Sequence, residues 1–394
     1  MQKIVLKAGK EKSLRNRHPW VFSGAIQHAP KESGTYEVHD HKKQFLALAY
    51  YNPESSLAAR VVSWKEGETW DRESLKNRLQ NAYDRRKSML SPEQTAARIV
   101  ASEADLLPGL IVDLYGPAIV FQITTGGMEA MRPVLLEVLD EVFTPEIIVE
   151  RSDEAIRKKE GLEERKELIK GVIPEGGIDI VEQGIKLRVD IWDGHKTGFY
   201  LDQRAARKSV EAYTKGKRVL NCFSYTGGFS LSALKGGATE VISVDESRPA
   251  LNIAEANVER NGFDSARHTT VQADVFKYLR QLREAGETFD VIVMDPPKFV
   301  SDRKHIDRAC RGYKDLNLIA LQLLKENGIL FTFSCSGLLS RDLFQKVLFG
   351  AGVDAQCELQ VIETLSQSDD HPVLLTFPES LYLKGFVCRK ITTP

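Results

Sequence analysis

From residue 217 onward the chain repeats one pattern: an apolar run of strand length, a turn of small or acidic residues, a helical stretch, then another run. The runs are Arg218-Val-Leu-Asn-Cys-Phe223, Glu240-Val-Ile-Ser-Val-Asp245, Thr270-Val-Gln-Ala-Asp274, Phe289-Asp-Val-Ile-Val-Met-Asp295 and Gly328-Ile-Leu-Phe-Thr-Phe333. Strands that alternate with helices specify a doubly wound sheet, here the α/β core of a multidomain chain. Ligands of such sheets bind outside the carboxyl ends of the strands, so the residues that close each run are the candidates for chemistry.

The first run enters Ser224-Tyr-Thr-Gly-Gly-Phe229, where Gly227 and Gly228 let backbone pass close to a ligand before the next helix begins. Asp245 closes the second run, 18 residues after Gly227, and suits a ribose diol. Asp274 closes the third and is placed either to orient an adenine or to cap the following helix. The loop is not GxGxxG, which disfavours a pyrophosphate dinucleotide; successive acidic strand ends suit a positively charged nucleoside such as S-adenosylmethionine. Just upstream, Asp193-Gly-His-Lys-Thr-Gly-Phe-Tyr-Leu-Asp-Gln-Arg204 is rich in glycine, aromatics and ion-pairing groups. It can lay Phe199 or Tyr200 against the cofactor and Asp202, Gln203 or Arg204 near its amino-acid tail, or it is an ordinary inter-domain turn. Phe223 and Tyr225 complete the expected cofactor set. His195 has no nearby Ser or Cys partner in the sequence, so a hydrolase triad has little support.

The fourth and fifth runs end in Asp295-Pro-Pro-Lys-Phe299 and Ser334-Cys-Ser-Gly337, 40 residues apart from Asp295 to Cys335. Carbon 5 of a pyrimidine is a poor nucleophile, but a thiolate adding to carbon 6 activates it and later leaves by elimination. Cys335 is in the right place for that thiolate. Asp295 is its natural partner, stabilising charge at ring nitrogen 3 and touching the exocyclic amine. The bland alternative for Cys335 is a small buried hydrophobe. Cys222 reads as packing beneath the cofactor loop, Cys310 as a thiol on a mobile loop, and Cys357 and Cys388 as structural. Five scattered cysteines without CxxC spacing support neither a disulfide framework nor a metal site.

The rest of the chain reads as two smaller modules, giving expected domains of 1–70, 71–192 and 193–394. Residues 1–70 alternate short apolar stretches with Gly, Pro, Asn and His, as a small β-rich module does. Within residues 1–20 six cations (Lys3, Lys7, Lys10, Lys12, Arg15, Arg17) face Glu11 alone, although 54 basic and 55 acidic residues leave the whole chain at −1. Any RNA contact therefore uses local patches, and this stretch is either such a patch or a solvated basic edge. Arg17-His-Pro-Trp-Val-Phe22 mixes cations and aromatics, as an RNA surface or ordinary packing would. The charge-dense 149–160 region reads as a solvated face, with RNA contact the lesser alternative, and Gln183-Gly184 as the turn of a hairpin closing the central domain. Leu374–Phe377 and Leu383–Cys388 are close enough to pair as a terminal hairpin. No run reaches the roughly 18 apolar residues of a membrane span, so a cytoplasmic protein is expected.

With these residues in view, the chain resembles the bacterial ribosomal RNA large subunit methyltransferase I family over nearly its whole length. The resemblance rests on residues 12–24, Gly194–Arg204, Asn221–Phe229, Asp295–Phe299 and Phe333–Gly337. It implies an N-terminal PUA domain, a central α/β domain and a C-terminal Rossmann-like domain that uses S-adenosyl-L-methionine to make 5-methylcytosine in 23S ribosomal RNA, with Cys335 matching the family's nucleophile. The sequence leaves the oligomeric state open, a homodimer included. Two departures stand out. Val181-Glu-Gln-Gly-Ile-Lys186 differs from the family's usual Glu-Glu-His-Gly-Met-Lys, and Lys298 occupies the position where many similar RNA enzymes carry a second cysteine. The base for the carbon 5 proton is then a water, Cys310 or Asp315. Methylation of a ring or exocyclic nitrogen, and a non-catalytic RNA-binding assembly factor, are the competing readings.

Overall fold

The computed structural model describes residues 3–153, 156–300 and 302–391. They divide into two compact units. The described residues up to Ile180, with Val189–Leu201 and Asp369–Ser380, form the first; Val181–Arg188, Asp202–Ser368 and the described residues from Leu381 onward form the second.

The first unit opens with strands β1 (Lys3–Leu6), β2 (Trp20–Val21), β3 (Ile26–His28), β4 (Gly34–His39), β5 (Phe45–Tyr51) and β6 (Ala59–Ser63) and the short helix α1 (Lys12–Arg15). The strands make one sheet in the order β2-β6-β5-β4-β1-β3, with β1 parallel to β4. Its core is Ile4, Leu6, Val38, Ala47 and Val61. Trp20 donates from Nε1 to Glu103 at 2.8 Å and stacks edge-on against Phe377, whereas Phe22 is exposed.

Helix α2 (Arg72–Lys87), which starts with a capping box between Asp71 and Ser74, leads into β7 (Ala96–Ala101), β8 (Leu110–Tyr115), β9 (Ala118–Ile123), α3 (Gly126–Ala130), α4 (Arg132–Phe143), β10 (Ile147–Ser152) and β11 (Arg165–Lys170). This sheet runs β11-β10-β9-β8-β7, and Leu75 and Leu79 of α2 with Leu135 and Leu139 of α4 pack on it. The 149–160 region departs from the expected solvated face. Glu150, Arg151, Arg157 and Glu160 are buried, with Arg132 on Glu150 at 2.7 Å and Arg60 on Glu160 at 2.9 Å. Burial is tolerated because each charge meets an opposite one. Strands β12 (Ile178–Glu182) and β13 (Ile185–Val189) form the expected hairpin; Gln183 and Gly184 have φ of 50° and 79°, the two positive values that a type I′ turn needs.

The second unit contains α5 (Arg204–Glu211), β14 (Arg218–Cys222), α6 (Gly228–Lys235), β15 (Glu240–Asp245), α7 (Arg248–Arg260), β16 (His268–Gln272), α8 (Val275–Glu284), β17 (Phe289–Met294), α9 (Ile306–Leu323), β18 (Leu324–Ser334), α10 (Arg341–Asp354), β19 (Glu358–Leu365) and β20 (Lys384–Ile391). Its seven-stranded sheet has the order β16-β15-β14-β17-β18-β20-β19, and β14 to β18 are mutually parallel. The order reverses at β14 and β17, which opens a crevice at their carboxyl ends. The expected terminal hairpin is not formed. Leu374 bridges to Phe377 locally, and β20 inserts antiparallel between β18 and β19, where Phe386 and Cys388 are buried in the core.

Candidate active site

The crevice begins with the loop between β14 and α6. Phe223, Tyr225 and Gly227 have φ of 58°, 47° and 81°. Positive φ is costly for bulky residues, so this loop is held against its own preference, as ligand-binding loops often are. Asp245 holds it. Its carboxylate accepts from Tyr225 N at 2.8 Å and Ser247 N at 2.9 Å, one bond to each oxygen. Each oxygen has a second lone pair, enough for two ribose hydroxyls. A Cβ on Gly227 would lie 2.9 Å from Ala254 Cβ of α7, so only glycine satisfies both the conformation and the contact. Gly228 begins α6, whose N-terminus carries no side-chain cap.

Asp274 serves as the cap of α8, accepting from Lys277 N at 3.0 Å, the alternative role its position allowed. Gln203 and Arg204 are buried at the start of α5, and Gln203 Nε2 donates to Asp295 Oδ2 at 3.1 Å. Asp202, also buried, accepts from the Tyr382 hydroxyl at 2.7 Å. Tyr200 belongs to the first unit, where its hydroxyl lies 3.2 Å from His195 Nδ1. Three buried polar atoms of the second unit, Gln203 Oε1, Ser224 Oγ and Thr226 Oγ1, have no hydrogen-bond partner among the described residues. Native interiors rarely leave such atoms unmatched, so each remains able to bond a polar ligand.

Asp295 follows β17 and Cys335 follows β18, and these strands pair in parallel with Met294 opposite Thr332. Adjacent strands lie about 4.8 Å apart, so both motifs share one rim. A residue overlooked in the sequence joins them. The ring of Tyr313, on α9, packs on Phe299 of the Asp-Pro-Pro-Lys-Phe segment at 4.6 Å between centroids. Its hydroxyl accepts from Ser334 Oγ at 2.9 Å and lies 3.2 Å from Ser336 Oγ. Burial holds that hydroxyl above its ordinary ionisation range, so it remains a neutral bonding group. Both serines flanking Cys335 are buried, while Cys335 itself is half-buried.

A second overlooked residue is Lys384, the first of β20, which pairs in register with Ser334. It is 3% exposed, and its Nζ donates to Ser336 O at 2.6 Å. Glycine-turn and strand-end signals point to neither residue, because one lies within a helix and the other reaches the site through antiparallel pairing.

The remaining thiols are less suited to chemistry. Burial raises Cys222 well above the ordinary thiol range, pushes Cys388 up to about 12, and raises Cys357 and Cys310. Residues 309–315 are not a mobile loop but part of α9, and Asp315 is paired with Arg280 of α8 at 2.6 Å. No group of three or more His, Cys, Asp or Glu among the described residues is arranged to hold a metal, and no described helix is long and apolar enough to cross a membrane.

Residues 163–335 match the model of an S-adenosylmethionine-dependent methyltransferase family, and residues 4–64 that of a PUA-like domain. Ribosomal RNA large subunit methyltransferase I of Escherichia coli O139:H28 is 48% identical over 391 residues, covering 98% of this chain and 99% of the relative. A SAM-dependent methyltransferase from Streptococcus mutans superposes with a TM-score of 0.86 at 25% identity, over 99% of this chain and 100% of that one. A methyltransferase structure complexed with SAH gives a TM-score of 0.87 at 26% identity over the same shares.

Proposed function

This chain belongs to the ribosomal RNA large subunit methyltransferase I family, S-adenosylmethionine-dependent enzymes with a PUA-like domain, and from that premise we propose that it methylates carbon 5 of cytosine in 23S ribosomal RNA through a covalent Cys335 adduct. The observation that carries this reading is the common rim of Asp295 and Cys335, with the cysteine fixed between two serines that Tyr313 binds.

S-adenosylmethionine, when bound, supplies the methyl group that carbon 5 takes up. Asp245 would hold its ribose, the β14–α6 loop with Phe223, Tyr225, Gly227 and Gly228 its adenosyl portion, and Asp202, Gln203 and Arg204 its amino-acid end, while Tyr200 belongs to the first unit. Asp274 reaches the cofactor only if it serves beyond its cap. Cys335 Sγ adds to carbon 6 of the flipped base, forming an S–C6 bond while the C5–C6 π electrons move to carbon 5. Asp295 accepts from the exocyclic amine with one oxygen and, as a carboxylic acid, donates its proton to nitrogen 3 as negative charge develops there, and Gln203 keeps the carboxyl group oriented. Once carbon 5 gives up its proton to a base, the S–C6 bond breaks and the thiolate is regenerated. With α9 helical and Asp315 paired, a water is the best base for that proton.

The basic N-terminal module would contribute RNA contacts, in a cytoplasmic setting. The three proposed domains, 1–70, 71–192 and 193–394, each contain an apolar cluster, although residues 193–201 and Asp369–Ser380 fall in the first compact unit and Val181–Arg188 in the second. The test is to incubate the protein with labelled S-adenosylmethionine and unmodified ribosomal RNA, then digest and identify the labelled nucleoside. Label in 5-methylcytidine, lost in Cys335→Ala while S-adenosylhomocysteine still binds in calorimetry, is the expected result. Label in a guanosine, or full carbon-5 activity in Cys335→Ala, overturns the reading.

A further inference from the structure

Lysine is seldom buried without a purpose that offsets its desolvation, and Lys384 is almost fully enclosed at the carboxyl end of β18. Among the described residues no salt bridge is formed between Lys384 and a carboxylate. Its Nζ donates one hydrogen bond, to the carbonyl of Ser336, the residue after Cys335. An ammonium has three donors, so one bond to a neutral oxygen leaves capacity for an anion. The charged groups that act on Lys384 are Cys335, Arg341 at the start of α10, and Lys298 after β17. Tyr313 approaches the same turn from α9 but stays neutral. Cys335 is the group in this set able to carry negative charge.

We propose that Lys384 is the positioning residue and charge partner of Cys335: its ammonium holds the thiol as a thiolate, and its bond to Ser336 O fixes the backbone that aims the sulfur. The proton leaving the thiol resides on Nζ, and the sulfur keeps the S–H electron pair. Burial, with Arg341 and Lys298 adding to it, brings the Lys384 ammonium down to about 8 against the opposing Cys335 charge, so this lysine can take and give up a proton near neutrality. Arg341 and Lys298 add positive potential, which favours the thiolate further. On elimination the thiolate returns to the same partner, ready for the next base.

The inference rests on Cys335 being the nucleophile, but its test needs neither RNA nor cofactor. The rate of iodoacetamide alkylation at Cys335 is followed against pH by peptide mass spectrometry in the full-length protein, in Lys384→Met and in Lys384→Arg. Half-buried Cys310, on a different element, is read in the same samples. The wild-type midpoint is expected below the free-thiol value of about 8.5. In Lys384→Met the rate at neutral pH should fall about tenfold or more, a shift of one pKa unit or greater, while Lys384→Arg restores it and Cys310 stays unchanged. A wild-type midpoint above 8.5 overturns the proposal whether or not the variants fold, and so does an unshifted profile in Lys384→Met. If Cys335→Ala still makes 5-methylcytidine, the nucleophile reading fails by itself, a result the alkylation profile cannot mimic.

Discussion

Tyr313 binds the two halves of the site with one ring face and one hydroxyl. Phe299 rests on the ring, and Ser334 and Ser336 converge on the oxygen, so the strand end that carries Cys335 is tied to the segment that carries Asp295. Tyr313→Phe keeps the ring contact and removes the shared partner of two buried hydroxyls. It should lower unfolding free energy in urea by about 1–3 kcal/mol and reduce single-turnover methylation about tenfold, the effect of a barrier increase near 1.4 kcal/mol. Unchanged turnover would mean that Cys335 keeps its aim without Tyr313. At this scale the sequence points to residues whose type suits the proposed chemistry at a strand end, Asp245, Asp295 and Cys335. It gives no sign of the residues proposed to act through position: Tyr313 sits in a stretch that resembles a loop, and Lys384 lies 49 residues beyond Cys335.

Among the elements, the β14–α6 loop carries the most conformational demand. Gly227 combines φ of 81° with a 2.9 Å approach of its missing Cβ to α7. Gly227→Ala should therefore cost about 1–2 kcal/mol from the left-handed backbone alone and displace the loop from Asp245. Calorimetry with S-adenosylhomocysteine should show affinity weakened about tenfold or more, that being the change in binding constant for 1.4 kcal/mol. Unaltered affinity would separate the loop from the cofactor. The parallel strands were readable because their apolar runs are bounded by glycine and acid. The place of β20 was not, since its proximity to Leu374–Phe377 in sequence suggested a hairpin, whereas its apolar residues bury more completely between β18 and β19. The 149–160 region misled for a related reason: charge density says nothing of the partners, and here Arg60 and Arg132 come from distant segments.

For the molecule as a whole, a formal charge of −1 leaves RNA recognition to local surfaces, and the N-terminal 20 residues concentrate six cations against one acid. That organisation was legible from composition. The proposed chemistry makes one demand of the intact chain: a base delivered to the crevice must become bonded to Cys335 before it is released. RNA in which the target cytosine carries fluorine at carbon 5 has no proton there to lose, so the adduct should persist after methyl uptake. The most direct measurement is mass spectrometry of the full-length protein incubated with such RNA and S-adenosylmethionine. The account requires a stable RNA–protein species whose cross-linked peptide contains Cys335. Methylation of ordinary RNA with no adduct on the fluorinated one, or an adduct at another cysteine, would contradict it.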